Sequence, residues 1–486
     1  MTTPSHPPTP GTALPPLAGG THGPDALRPL VATVLDALAA GAAERQGRPL
    51  PAGGPDATAA QVLAAATPVL PEQGAGAGEA LTTLVHSLAA GAADPGHPLC
   101  AAHLHTPPLA VAVAADLAAS ALNQSLDSWD QAPAAAALEA LVTRTLADEV
   151  YRGAPPGHAP APDALVTTGG TESNQLALLL ARERHARTGG GVQVVTGEHT
   201  HHSLTRAAWL LGLPEPVTVP APGGTLDLAA LDDALTTLRG PLLVAATAGT
   251  TDTGAIDPLA AIADLCARHR AHFHVDAAYG APLLFSDRRA NLLDGLARAH
   301  TVTLDLHKLG WQPVAAGLLA VPDTGHLAPL GHTADYLNAD DDTAAGLPDL
   351  LGRSLRTTRR PDILKIAVTL RALGRTGLGA LVDHLCDAAA ELAEAIEKHP
   401  RLELYERPTL TTVLFRPVHA PDTTVAAIRR TLLTEGAAVL GRAHAGGRLW
   451  LKTTLLNPHT TPDDLTGLLT RVEALGDSFP EGSTPR

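Results

Sequence analysis

The feature that most limits what this chain can fold into is a series of short β-rich runs separated by helical segments. ALVTTGG (164–170), VQVVTG (192–197), PLLVAAT (241–247), HFHVDAA (272–278) and TVTLDL (301–306) are largely apolar and carry Gly, Thr or Asp at or near their ends. The stretches between them are helical in pattern, as in TESNQLALLLARERHAR (171–187). Strands spaced by helices build an α/β fold around a mainly parallel central sheet flanked by helices. Ligands of such sheets sit beyond the carboxyl ends of the strands. The unusual residues of this chain cluster there.

This pattern predicts a large domain over 97–375. Ahead of it, 25–96 reads as a helical N-terminal extension. Leu27, Leu30, Val31, Val34, Leu35 and Leu38 recur at three- and four-residue spacing there. Residues 1–24 are rich in Pro, Gly and Thr and read as a disordered tail. After about residue 375 a smaller α+β domain is expected, 376–486. It has helices at 376–398, at 423–435 and after Pro462, and strands near 402–416 and at 448–456.

Composition narrows the function. Aromatic residues make up only 2% of the chain against 45% hydrophobic residues, so the core must be packed with Ala, Leu and Val. A net charge of −15 argues against a nucleic-acid partner, since phosphate binding needs clustered Lys and Arg. Cys100, Cys266 and Cys386 form neither a disulfide framework nor a CxxC metal pair, so no metal site is expected and a reducing, cytoplasmic setting fits. The N-terminal stretch lacks a basic region followed by an apolar one, and no uninterrupted apolar window of membrane length occurs. No signal peptide and no membrane association are expected.

Three signals carry chemistry. In TTGGTESN a strand ends in Gly169-Gly170 and a helix opens at Thr171, which suits a phosphate cradle. Glu172 should then point away from it. A Gly turn with Thr171 as a plain helix cap is the bland alternative. In HVDAAYG a buried strand ends in Asp276, a costly carboxylate unless it is paired with a cation, such as a pyridinium nitrogen, or bonded to backbone amides. In LDLHKLGWQP, Lys308 follows a β-type run and His307, where a lysine can form a Schiff base or simply reach solvent. Taken in order on one sheet, an anion site, an isolated carboxylate and a lysine are the three things pyridoxal 5'-phosphate needs.

With these blocks the chain resembles the fold-type I, group II pyridoxal-phosphate-dependent amino-acid decarboxylases from about His97 to Pro458. AAHLHTPP (101–108), NQSLDSWDQAP (123–133), TAGTTDTGAIDP (247–258) and LKTTLLNP (451–458) extend the likeness. The AHLH and NQSLDSWDQ blocks are most similar to the bacterial L-2,4-diaminobutyrate decarboxylase branch. The resemblance implies decarboxylation of an L-amino acid, with a diamino acid preferred, in a homodimer whose active sites lie at the interface. It assigns Lys308 as the Schiff-base lysine and Asp276 as the carboxylate that keeps the ring nitrogen protonated. His201, rather than the adjacent His202, would stack on the ring opposite Ala278. Gly170, Thr171 and His307 would hold the phosphate, with Asp305 and Thr251 also contacting the cofactor. His105 and Thr106 would line the substrate pocket.

Two departures stand out. The stretch Asn338–Gly352, where relatives place a proton-donating Tyr, has none. Tyr336 just before it, or else His201, would have to serve. Ala132 and Ala136 stand where relatives carry Ser and Thr. A missing donor favours side chemistry, either oxidative deamination or aminotransfer. A cofactor-binding but inactive partner subunit is the other alternative, and the complete Lys308, Asp276 and His201 set argues against it. Asp340-Asp341-Asp342 reads as a solvated loop or a site for a distal ammonium. Arg359-Arg360 reads as a surface pair or an anion contact. Trp129, Trp209, Tyr279 and Trp311 fall in or near the motif blocks, so the few aromatics are expected around the site.

Overall fold

The computed structural model describes residues 14–185, 191–331, 337 and 339–478. Its strands are β1 (Asp163–Thr167), β2 (Gln193–Gly197), β3 (Val217–Val219), β4 (Leu242–Thr247), β5 (His272–Asp276), β6 (Thr301–Asp305), β7 (Gly317–Val321), β8 (Leu402–Leu404), β9 (Thr412–Pro417), β10 (Gly441–Ala445) and β11 (Arg448–Thr454). The first seven form one sheet in the order β1-β7-β6-β5-β4-β2-β3. Every pairing in it is parallel except those of β7, which runs antiparallel to both β1 and β6. β1, β4, β5, β6 and β7 are buried at every position, as expected of strands covered on both faces. The predicted mainly parallel sheet is therefore present, with one reversed strand inserted beside its edge.

β7 fits beside β1 because of a glycine. A Cβ on Gly317 would stand 2.5 Å from both Gly169 Cα and Thr167 Oγ1. The reversed strand therefore begins pressed against the turn that follows β1. β4, β5 and β6 end at Thr247, Asp276 and Asp305, so their carboxyl ends bring these side chains to the same edge.

The second sheet is antiparallel, in the order β10-β11-β9-β8. The helix expected at 376–398 starts earlier. It runs Ile363–Glu397 and is interrupted at Gly374, whose φ is +63°. The expected start of the smaller unit thus lies beside that interruption. Tyr279, buried after β5, ties the two sheets together. Its hydroxyl lies 2.8 Å from Thr411 Oγ1 and 2.9 Å from Thr412 Oγ1. Burial raises its pKa to about 12, so it bonds as a neutral phenol.

The N-terminal region forms helices Gly23–Glu44, Gly54–Ala66 and Ala77–Ala90. Residues 1–13 of the expected tail lie outside the described residues. Gly23–Glu44 is long and apolar enough to cross a membrane by length and composition alone. It carries Asp25, Arg28 and Asp36 and packs along Ala77–Ala90.

Arg359 is not a surface residue and has no room for an external anion. It is 3% exposed and clasps Glu139, itself 4% exposed, through two hydrogen bonds of 2.7 and 2.8 Å. Arg360 donates to Asp116. Removing one member of a buried pair strands the other charge. Arg359→Ala should therefore lower unfolding stability by about 3–5 kcal/mol, read as a lower urea midpoint. An unchanged midpoint would show that Glu139 finds solvent or another partner.

Candidate active site

β1 ends at Thr167, and the chain turns through Gly169 into helix Gly170–His185. Gly169 has φ +151°, and a Cβ there would stand 2.9 Å from His307 Cε1. Glu172 bends back to accept a hydrogen bond from Thr168 N at 2.6 Å, and its other oxygen faces Arg356 Nε at 3.4 Å. Its charge is thereby drawn away from the first-turn N–H groups, which stay open to an anion.

Asp276 closes β5 and is 5% exposed. Oδ1 accepts from Ala278 N at 3.1 Å, and Oδ2 accepts from Asn174 Nδ2 at 2.8 Å. Among the described residues no cation pairs with it. Asn174 is fully buried and uses its whole carboxamide. Nδ2 also donates to Ser203 Oγ at 2.8 Å. Oδ1 accepts from Thr303 Oγ1 at 2.8 Å and from His274 Nε2 at 3.0 Å. Burial lowers the pKa of His274 to about 4, so it is neutral, with its proton on Nε2 and Nδ1 accepting from Thr301 Oγ1.

The same network fixes His201. Ser203 N donates to His201 Nδ1 at 3.3 Å, and Ser203 Oγ lies 2.8 Å from that nitrogen. A backbone N–H can only donate, so Nδ1 is the bare nitrogen and Nε2 carries the proton. Burial is the largest influence on His201 and lowers its pKa.

On β6 and beyond, Asp305 is 2% exposed. Its Oδ2 lies 3.1 Å from Lys308 Nζ and 3.5 Å from His307 Nε2. His307 Nδ1 accepts from Ala316 N at 3.3 Å, and burial lowers the pKa of this imidazole.

These groups surround a cavity of about 280 Å³. Its wall includes Gly170, Thr171, His201, Thr251, Asp276 and Ala278 as well as Asp305, His307 and Lys308. Nine of the twelve residues singled out from sequence thus meet in one place. Tyr336 lies outside the described residues. His105 is exposed and Thr106 is 4% exposed, and neither lines the cavity; Leu104 takes that place. His202 is exposed and also absent from the wall.

The cavity suits pyridoxal phosphate on its own chemistry. Open helix N–H groups and a glycine turn stand at one end, and an unpaired buried carboxylate stands at another. Thr247 Oγ1 and Asp305 Oδ1 are buried without hydrogen-bond partners. A Cβ on Gly170 would come within 3.1 Å of Ala278 Cβ and Asp305 Oδ2, so only glycine keeps that corner open.

Several expectations need correction. The aromatics are not gathered round the site. Trp209 is 77% exposed, Trp129 is 39% exposed, and Tyr279 alone of the four named lines the cavity. Ala132 and Ala136 pack with Leu126 and Leu350 in a separate apolar cluster. Asp341 and Asp342 are exposed on helix Asp340–Ala344 and do not line the cavity. The residues missed from sequence are Asn174, Ser203 and Lys452. Asn174 stood inside TTGGTESN, one helical turn from Gly170, and Ser203 follows His201 by two residues. Lys452, in LKTTLLNP, is 7% exposed and donates from Nζ to Thr251 O at 3.0 Å.

The pyridoxal-dependent decarboxylase conserved domain matches residues 77–418. The chain is 42% identical over 430 residues to an L-2,4-diaminobutyrate decarboxylase of Rhizobium meliloti, covering 85% of this chain and 84% of that protein. It is 32% identical over 425 residues to a protein of the same name from Acinetobacter baumannii, covering 80% and 82%. Its fold superposes with a TM-score of 0.84, at 32% identity, on the glutamate decarboxylase domain of diaminobutyrate-pyruvate transaminase and L-2,4-diaminobutyrate decarboxylase from Vibrio parahaemolyticus, covering 96% and 98%.

Proposed function

The chain belongs to the pyridoxal-dependent decarboxylase family, and from that premise we propose that it decarboxylates an L-diamino acid, with L-2,4-diaminobutyrate first among them. The observation that carries the substrate is the likeness, over most of the chain, to the Rhizobium meliloti protein named for that activity. The chain itself is a pyridoxal-phosphate-dependent amino-acid carboxy-lyase.

When bound, the cofactor supplies an aldehyde that condenses with amines and a ring that takes up the electron pair left by CO₂. The rest falls to the protein. Gly170, Thr171 and His307 hold the phosphate end through N–H groups. Asp276 would accept a hydrogen bond from the ring nitrogen and so keep it protonated. His201, Ala278 and Thr251 line the cavity and would hold the cofactor's ring. Asp305, 3.1 Å from Lys308 Nζ, would keep that amine at the cavity wall, where it can reach the aldehyde of the cofactor. The cavity wall would fix the orientation of the substrate carboxylate, which is catalysis by orientation. His201 is the acid we assign to return a proton to Cα: it would act as the imidazolium, giving up the Nε2 proton while Ser203 Oγ, 2.8 Å away, accepts from Nδ1.

The same reading includes a homodimer. Leu35, Leu38, Leu63, Leu84 and Leu88 are each 45–65% exposed on the three N-terminal helices. An outward apolar stripe of this kind is what a second copy would cover. A cytoplasmic setting is supported by the three cysteines, all unpaired.

The test is CO₂ release by the holoenzyme across the common amino acids and 2,4-diaminobutyrate, with products identified. L-2,4-diaminobutyrate should exceed L-glutamate, L-lysine and aromatic amino acids by roughly 100-fold or more in kcat/KM, the scale of a misplaced polar group. Amine and CO₂ should form one to one. A preference for glutamate or an aromatic substrate would overturn the substrate. Aldehyde or ammonia as main product would overturn the reaction.

A further inference from the structure

The strands that end at the active site begin, at their other end, in a cluster of histidines. His272 is the first residue of β5, and His300 immediately precedes β6. Their rings stack with centroids 4.4 Å apart, and His158 meets His300 edge-on at 6.0 Å. Arg184, in the last turn of helix Gly170–His185, joins them with Nη1 3.4 Å from His326 Nε2. Two adjoining cavities of about 440 and 320 Å³ share Arg184 and His272. Arg270 and Arg298 extend the first wall. Of the three arginines, Arg298 alone has a carboxylate partner among the described residues, Asp264 at 2.7 Å. The second cavity turns apolar, against Leu180, Ala328 and Pro329.

Nothing in the decarboxylation chemistry uses this cluster, and it is incomplete as a packed feature. His272 is 8% exposed, yet its Nε2 has no hydrogen-bond partner, and His158 Nε2 is equally bare. Buried polar atoms of this kind normally find one. Burial, and after it the neighbouring histidines and Arg184, lowers the pKa of His272 and takes that of His300 to about 4. Arg184 alone would be explained by the negative end of its helix. That does not explain the two unpartnered imidazole nitrogens of His158 and His272, which line the same cavity.

The donor geometry separates a metal from an anion. Phe273 N donates to His300 Nδ1 at 2.9 Å, so Nδ1 is bare and Nε2 bears the proton. A protonated Nε2 cannot ligate a metal but can donate to an oxyanion. No group of three or more metal-ligating side chains occurs among the described residues.

We propose that this cavity binds a phosphorylated small molecule, with the phosphate held by Arg184, His272 and His300 and an apolar body lying against Leu180 and Pro329. This site stands apart from the decarboxylase reading, and its test does not depend on substrate identity. The holoenzyme is first reduced with borohydride, so that the cofactor's own phosphate site stays filled. Phenyl phosphate and inorganic phosphate are then titrated by calorimetry into this protein and into its Arg184→Gln form. Arg184 is exposed and outside the active site, so CO₂ release by the unreduced variant should match wild type.

Phenyl phosphate should bind saturably and tighter than inorganic phosphate, and the variant should bind it at least ~10-fold more weakly, the scale of one lost charged hydrogen bond. No saturable binding, equal affinity in the variant, or no gain from the phenyl group overturns the proposal. So does tight Zn²⁺ binding to the same histidines.

Discussion

Lys308→Ala should abolish CO₂ release and with it the visible absorption that borohydride fixes in the wild-type holoenzyme. Among the described residues, Lys308 is the only lysine that lines the cavity. Its Nζ is held 3.1 Å from Asp305 Oδ2, and that carboxylate is 3% exposed. The amine is therefore positioned rather than free to wander through solvent. Loss of a positioned proton-transfer group alone costs roughly 10²–10⁴-fold in rate. Here the covalent tether of the cofactor goes as well, so the fall should exceed that range. Added methylamine should restore a small part of the rate, because it replaces the amine but not its position. Wild-type CO₂ release in the variant would mean that another group does this work. Unchanged visible absorption would mean that the tether is another lysine.

The architecture was readable where a strand both began and ended in chemistry. β1, β4, β5 and β6 are apolar runs stopped by Thr, Asp or Gly, and the same residues that ended the runs became the site. β7 and β3 were not readable. VTV is too short to show a period, and GLLAV carries no terminal Thr or Asp to mark it; its antiparallel pairing with β1 and β6 is set by tertiary contacts, among them the close approach of Gly317 to the turn after β1. β10 alternates buried Ala with exposed Arg442 and His444, a weak pattern because its inward side chains are so small.

Site residues followed the same rule. Asp276 and Lys308 announced themselves by their place after a strand. Asn174 did not, because its importance lies in which way a helix turns it, and that is set by Ser203, His274 and Thr303 from distant segments. His105 and Thr106 stood in a suggestive block, but the backbone presents Leu104 to the cavity instead.

Asp276→Asn should lower kcat by roughly 10²–10³-fold, the scale of removing one preorganised electrostatic partner of a transition state, and should weaken cofactor binding. The wild-type carboxylate has two hydrogen-bond donors, Ala278 N and Asn174 Nδ2, and no cation among the described residues. Burying such a charge is costly, and a cationic ring nitrogen would relieve that cost. An amide keeps the shape but removes the charge. A neutral ring nitrogen then withdraws fewer electrons from the breaking bond.

Asn174→Leu separates this electrostatic role from positioning. It leaves the Asp276 charge in place but removes the link to Ser203 and thus to His201. Its effect should be smaller on cofactor affinity than on kcat. It should also alter the pH dependence of kcat, because Ser203 loses the donor that orients it toward His201 Nδ1. Near-normal turnover in Asp276→Asn would remove the electron-sink role of this carboxylate. An Asn174→Leu enzyme that lost cofactor affinity as severely as Asp276→Asn would reduce Asn174 to a structural support for Asp276.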